Sequence, residues 1–219
     1  MSFRLPHWRA WLLLAGLLLA SACTAQSGAS APYTDGVEYV TLPAPHQRLG
    51  ADGKVEVVEV FSYGCVHCAH FAPEADDLAK SLPKGATFKL VPAVFSQQWL
   101  PYARAFVAAR KLGVLERTHL ALFKAKFVDN YPINTFDELA DFYAGAGVDR
   151  AAFVREATSE ATTEEPKHDR ELTMAWQVDG TPTIVVDGKY RVAAVHSFEE
   201  MVAVTRWLVE RELAARRGG

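Results

Sequence analysis

Two cysteines three positions apart, Cys65 and Cys68, are the residues of this chain best equipped for chemistry. Val66 and His67 lie between them, and a strand-like run ends just before them at Phe61. Residues i and i+3 share one face of a helix, so the two sulfurs can bond to each other. If the helix opens at Cys65, its sulfur lies where unpaired backbone N–H groups and the helix macrodipole favour an anion. A thiolate is stabilised there, its pKa falls, and it becomes a good leaving group in thiol–disulfide exchange. Cys65 is therefore expected to be the exposed, reactive sulfur and Cys68 its buried resolving partner. His67 is expected to donate to the Cys65 thiolate or, once protonated, to pair with it. Stabilising the reduced form in this way makes the disulfide more oxidising.

Three other uses of these residues fit less well. A structural disulfide across so short a loop removes little unfolded-state entropy. A zinc site would need Cys65, Cys68, His67 and His70 to converge from one short segment, and no second C-x-x-C or H-x-x-x-H pair appears elsewhere. A c-type haem needs His directly after the second cysteine, and position 69 is Ala. No metal or organic cofactor is called for.

The elements that must hold this motif can be read along the chain. Lys54-Val-Glu-Val-Val-Glu-Val-Phe61 is β-branched and largely apolar, as a buried strand is. Ser62-Tyr-Gly64 breaks it. From Cys65 to about Ser81, Phe71, Ala75, Leu78 and Leu82 recur at helical spacing, with Pro73 inside and a kink expected there. Ala86-Thr-Phe-Lys-Leu-Val91 reads as the next strand. From 99 to 176 the pattern is helical throughout, in segments near 103–110, 114–128, 135–145, 149–157 and 163–177. Thr135 and Asp149 are expected caps, and Pro166 is placed in the first turn of the last segment. Thr183–Val186 and Tyr190–Val192 flank Asp187-Gly188, a hairpin signal. Ser197 with Glu200 forms a capping box ahead of a last helix to about Ala215. The order gives an α/β core interrupted by an all-helical insertion.

Composition narrows the setting. The 219 residues carry a net charge of -3, which suggests neither a nucleic-acid partner nor an anionic membrane surface. Only 3 cysteines are present, too few for a disulfide-stapled scaffold. Arg4 and Arg9 precede an apolar run from Trp11 to Ala20, followed by Ser21-Ala22-Cys23, the pattern of a secretory signal over residues 1–22. The run is too short to span a bilayer. Cleavage after Ala22 would release a soluble protein or leave Cys23 first, ready for lipidation, with residues 23–32 as a flexible tether. Export is expected by either route.

Three ordered segments carry a resemblance. Tyr33-Thr-Asp-Gly-Val-Glu-Tyr39 is similar to an opening Y-x-D-G-x-x-Y. Glu59-Val-Phe-Ser-Tyr-Gly-Cys-Val-His-Cys-Ala-His-Phe71 is similar to E-F-F-S-F-x-C-x-H-C followed by an aromatic. Gly180-Thr-Pro-Thr183 precedes the hairpin and the terminal helix. From about Tyr33 onward the chain thus resembles the DsbA family of periplasmic disulfide oxidases, a branch of the thioredoxin fold. This family is itself the usual example of a depressed cysteine pKa and a strongly oxidising couple, so both properties come with the resemblance. The resemblance implies a thioredoxin-like domain from residues 33–98 and 177–219, with 99–176 as the inserted helical domain.

It also implies site roles. Glu59 corresponds to a buried acid that moves protons to and from Cys68, a role suited to a carboxyl of raised pKa on a central strand; the alternative is a solvent-facing strand acid, since Glu56 also lies in this segment. Pro182 corresponds to the fold's cis proline against the disulfide, leaving the Thr181 backbone to pair with an extended peptide. The chain departs from the best-known members at Val66, where they have Pro, and at Thr181, where they have Val. The implied partners are reduced, unfolded exported proteins and a DsbB-type, quinone-linked reoxidant in the inner membrane. The chain is expected to act as a monomer in the periplasm, soluble or lipid-anchored at Cys23. An isomerase or reductase of the same fold, or a peptide-binding chaperone with an incidental disulfide, are the alternatives.

Overall fold

The computed structural model describes residues 31–193 and 195–218; the signal segment, Cys23 and nearly all of the tether lie outside them. Tyr33–Gly219 forms one compact unit. Its centre is strand β2, Val55–Phe61, whose seven residues are all buried. Side chains alternate across a strand, so Val55, Val57, Glu59 and Phe61 share one face, and Glu56, Val58 and Val60 share the other. β3, Ala86–Pro92, pairs parallel to β2, with Glu59 opposite Leu90. On the other side β4, Thr183–Val186, pairs antiparallel, with Glu59 opposite Ile184. β5, Tyr190–Val192, completes the hairpin.

A fifth strand was not expected. β1, Tyr39–Thr41, pairs antiparallel with β5 and closes that edge, giving the order β1-β5-β4-β2-β3. Three residues are too few for an alternation to stand out, and long-range contacts hold them: Tyr39 lies edge-on to Tyr190 and accepts from Arg211 Nη1 at 2.9 Å. The second acid of the strand, Glu56, is held inside as well. It is fully buried on the face opposite Glu59, where Lys89 Nζ approaches to 2.6 Å and the Leu49 N–H donates at 2.9 Å.

The turn of the hairpin sets a steric limit. Asp187 and Gly188 both have positive φ, 57° and 64°, as a type I′ turn requires. A Cβ at Gly188 would fall 1.9 Å from the Gln47 carbonyl oxygen. Gly188→Ala is therefore expected to destabilise the fold by about 3 kcal/mol or more, since backbone must move to relieve the overlap. Urea unfolding measures this; a loss below about 1 kcal/mol would contradict it.

Helix α1, Val66–Ser81, continues through Pro73 and buries Phe71, Ala75 and Leu78 against the Val55/Val57 face. The terminal helix α7, Phe198–Gly218, covers the same face. The helical segment contains α2 (Leu100–Lys111), α3 (Leu115–Phe127), α4 (Phe136–Gly145), α5 (Arg150–Ala157) and α6 (Glu160–Ala175). Thr135 and Asp149 cap α4 and α5 as expected, each accepting a backbone N–H. Helix α6 starts earlier than expected because Ser159 caps it, which places Pro166 in the second turn rather than the first. Its end, with Leu172, Trp176 and Val178, packs on the Val58/Val60 face of the sheet. Beneath the cysteines a shared core joins Phe61, Cys68 and Ala72 to Phe106, Leu122, Phe123 and Tyr143 of the helical segment. The fold is thioredoxin-like α/β with an inserted all-helical domain.

Candidate active site

The chain leaves β2 at Phe61 and turns through Ser62-Tyr63-Gly64, where the Gly64 N–H donates to Ser62 Oγ at 3.0 Å and the Cys65 N–H to the Ser62 carbonyl at 3.0 Å. Cys65 is the extended N-cap residue of α1, so its side chain faces the helix's free N–H groups. Both cysteines are free thiols. Cys68 is fully buried, and Cys65 is only 9% exposed. The reactive sulfur is thus less open than expected, because the 180–182 loop lies against it: Cys65 Sγ donates to the Thr181 carbonyl at 3.4 Å.

The two thiols are driven apart in acidity. Hydrogen bonding from the Cys68 thiol, then from the Thr181 side chain and the backbone N–H groups of Cys68 and His67, brings Cys65 down to about 5 from an ordinary 9.0. Burial, the Cys65 charge and Glu59 push Cys68 strongly upward. At neutral pH the dithiol therefore holds one thiolate, on Cys65, and one proton, on Cys68.

His67 contributes here through its backbone. Its imidazole is exposed, edge-on to His70 with ring centroids 6.5 Å apart, and makes no hydrogen bond to Cys65 Sγ among the described residues. Val66 is 41% exposed beside it and leaves an apolar rim where a peptide could lie. On the facing loop the Thr181–Pro182 bond is cis, and Thr183 Oγ1 donates to the Gly180 carbonyl at 2.9 Å.

Glu59 is 2% exposed and its Oε2 has no hydrogen-bond partner among the described residues. Burial, with a smaller push from the Cys65 charge, raises it to about 8. The carboxyl lines a cavity of about 440 Å³ between α1 and α3, walled by Ala72, Leu90, Leu115, His119 and Leu120, with Asp76 and Glu116 also in its lining. That volume is large enough to admit water beside the carboxyl.

Sequence reasoning missed His119, Tyr63 and Trp99. Tyr63 OH and His119 Nδ1 are 2.8 Å apart, and burial brings His119 down to about 4, so it stays neutral. Trp99 packs directly on the active-site turn: a Cβ at Gly64 would fall 2.8 Å from its Nε1. These contacts join residues tens of positions apart, and no local spacing announces them. The one available signal was Gly64 itself, a glycine immediately before the reactive cysteine that allows close approach.

A dithiol at a helix N-terminus, split in acidity and faced by a cis-proline loop on a thioredoxin-like sheet, defines a thiol–disulfide oxidoreductase. The model of the DSBA-like thioredoxin domain matches residues 84–203. The thiol:disulfide interchange protein DsbA of Pseudomonas aeruginosa is 35% identical over 208 residues, covering 94% of this chain and 98% of that protein. The chain belongs to the DsbA family. Among solved structures, oxidoreductase DsbA from Xylella fastidiosa is 41% identical with a TM-score of 0.77, over 83% of this chain and 98% of that one. Pseudomonas aeruginosa DsbA is 37% identical with a TM-score of 0.79, over 84% and 97%. Among the described residues no helix is long and apolar enough to cross a membrane, and no cluster of three or more His, Cys, Asp or Glu could hold a metal ion.

Proposed function

We propose that the Cys65–Cys68 disulfide is donated to reduced polypeptides in the periplasm. The observation that carries this reading is the split between a Cys65 thiolate held near pH 5 and a Cys68 thiol pushed upward beside a buried carboxyl. A substrate thiolate attacks Cys65 Sγ, the S–S bond breaks, and Cys68 leaves and takes a proton from Glu59. A second substrate thiolate attacks the substrate sulfur of the mixed disulfide and expels Cys65 as its stabilised thiolate. Two electrons pass from substrate to protein, and the substrate carries away the disulfide. The Thr181 backbone positions the extended substrate, with Pro182 and Val66 shaping the surface around the sulfur. A DsbB-type, quinone-linked membrane protein then reoxidises the dithiol, and the chain works as a monomer.

Equilibration with glutathione tests the direction. A potential above that of protein disulfide isomerase, about −180 mV, is expected for a donor; a value near thioredoxin's, about −270 mV, would overturn the reading in favour of a reductase. Replacing Cys65 with Ser separates a chaperone from an oxidase, since undiminished oxidative refolding of a reduced protein would place the activity outside the disulfide.

A further inference from the structure

Beside the active site, the segment leading into α2 and the middle of α6 enclose a second cavity of about 180 Å³. Val94, Gln97 and Leu100 form one wall, on the segment that carries the paired rings of Phe95 and Trp99. The remaining lining includes three cations, Arg104, Lys167 and Arg170, and no carboxylate. Arg104 Nε is closed off from water and has no acceptor, and neither Arg104 nor Arg170 joins an ion pair among the described residues. The α6 acids are engaged elsewhere: Glu164 with Lys167 at 2.7 Å, and Glu165 with Arg110. Asp169 is buried in the helix interface, where burial raises its carboxyl to about 7. Two guanidinium groups therefore share an open pocket without a counter-charge, in a chain whose overall charge is negative.

The pocket's position gives it a use. Trp99 lies against Gly64, the neighbour of Cys65, and Arg104 follows Leu100 by one helical turn. A peptide that pairs with Thr181 and crosses the Phe95–Trp99 surface would be led toward this pocket. We propose that the Arg104/Arg170 pocket binds an acidic side chain of the polypeptide being oxidised, so that the protein prefers thiols with Glu or Asp nearby. The preference rests on the disulfide-donor reading. Guanidinium groups suit it because they bind carboxylates in bidentate fashion without losing charge.

Two dithiol peptides, alike except for a Glu-Glu or a Gln-Gln pair a few residues from the cysteine, test the pocket by stopped-flow oxidation with the disulfide form at low salt. The Glu peptide is expected to react about three- to tenfold faster, the range that one or two partly exposed ion pairs supply, and the advantage is expected to shrink as salt is added. In the Arg104→Gln/Arg170→Gln variant the ratio of the two rates is expected to fall close to one. A ratio near one in the parent protein, or an undiminished ratio in the variant, would overturn the proposal. Arg170→Glu alone changes an exposed residue and keeps the half-buried Arg104; it too is expected to remove the preference, should the double variant not fold. Titrating the full chain with the Glu peptide carrying Ser for Cys separates the two claims. NMR shifts at Gln97, Arg104 and Arg170 with this peptide, together with no oxidation of the two dithiol peptides, would leave the pocket standing and sink the donor reading, and absent shifts would sink the pocket.

Discussion

Raising the pH above 5 is expected to shift the glutathione equilibrium of the Cys65–Cys68 couple toward the reduced protein by about tenfold per pH unit, until Glu59 interrupts the slope. The sign follows from the protons. Below about pH 5 the reduced protein carries two thiols, as does the glutathione it consumes, and no net proton is released. Above that pH, Cys65 ends as a thiolate while glutathione still carries its proton, so each reduction releases one proton and higher pH favours it. Glu59 then enters. Burial is the larger cause of its rise from 4.5 to about 8, and the Cys65 charge, present only in the reduced protein, supplies the rest. Over a window that ends near pH 8 the new thiolate therefore makes Glu59 take up the proton that Cys65 gave off, and the slope slackens. Glu59→Gln is expected to restore an uninterrupted slope from about pH 5 to the glutathione pKa. A parent profile flat up to about pH 7 would mean that the Cys65 thiol is not depressed.

Much of this arrangement was legible from residue types at short range. The β-branched run 54–61, the i, i+3 cysteines and the Asp187-Gly188 turn are local signals, and local energetics decide those elements. The parity of β2 also separates the two acids, since Glu56 and Glu59 are three residues apart and must face opposite sides. What escaped depends on packing between distant segments. Nothing local shows what holds Glu56 inside, because Lys89 and the Leu49 backbone come from other segments to do so. Exposure of Cys65 was overestimated because the loop that covers it lies more than a hundred residues away at Thr181. For the same reason the His67 imidazole seemed the natural partner of Cys65, where the structure supplies the backbone N–H groups of His67 and Cys68 instead. A sequence reports which groups a segment offers; the tertiary contacts decide which of them meet.

Replacing Glu59 with Leu is expected to stabilise the reduced protein while slowing disulfide transfer, and the stabilisation should grow with pH. Even when protonated, the carboxyl is buried with one oxygen unpartnered, which costs about 1–3 kcal/mol that an apolar side chain would not incur. Ionisation adds more. The folded protein keeps the Glu59 proton up to about pH 8, whereas an unfolded chain loses it near 4.5. A raised acid of this kind erodes stability as pH climbs from 4.5 toward 8, by on the order of 5 kcal/mol in all, and the erosion stops above that range. The Leu variant escapes it. Urea unfolding of the reduced form should show a modest gain near about pH 4 and a gain several kcal/mol larger near about pH 8. Equal stability of the two proteins at the higher pH would mean that Glu59 is solvated and ionises in the fold as it does in the unfolded chain. Under the proposed mechanism the same variant leaves Cys68 without its proton donor, so transfer to a dithiol peptide should slow about a hundredfold or more, the lower end of what a positioned acid contributes. Were its removal to strengthen the fold and weaken the reaction, the carboxyl would be held at its place on β2 by the chemistry of Cys68, because packing alone would have chosen Leu.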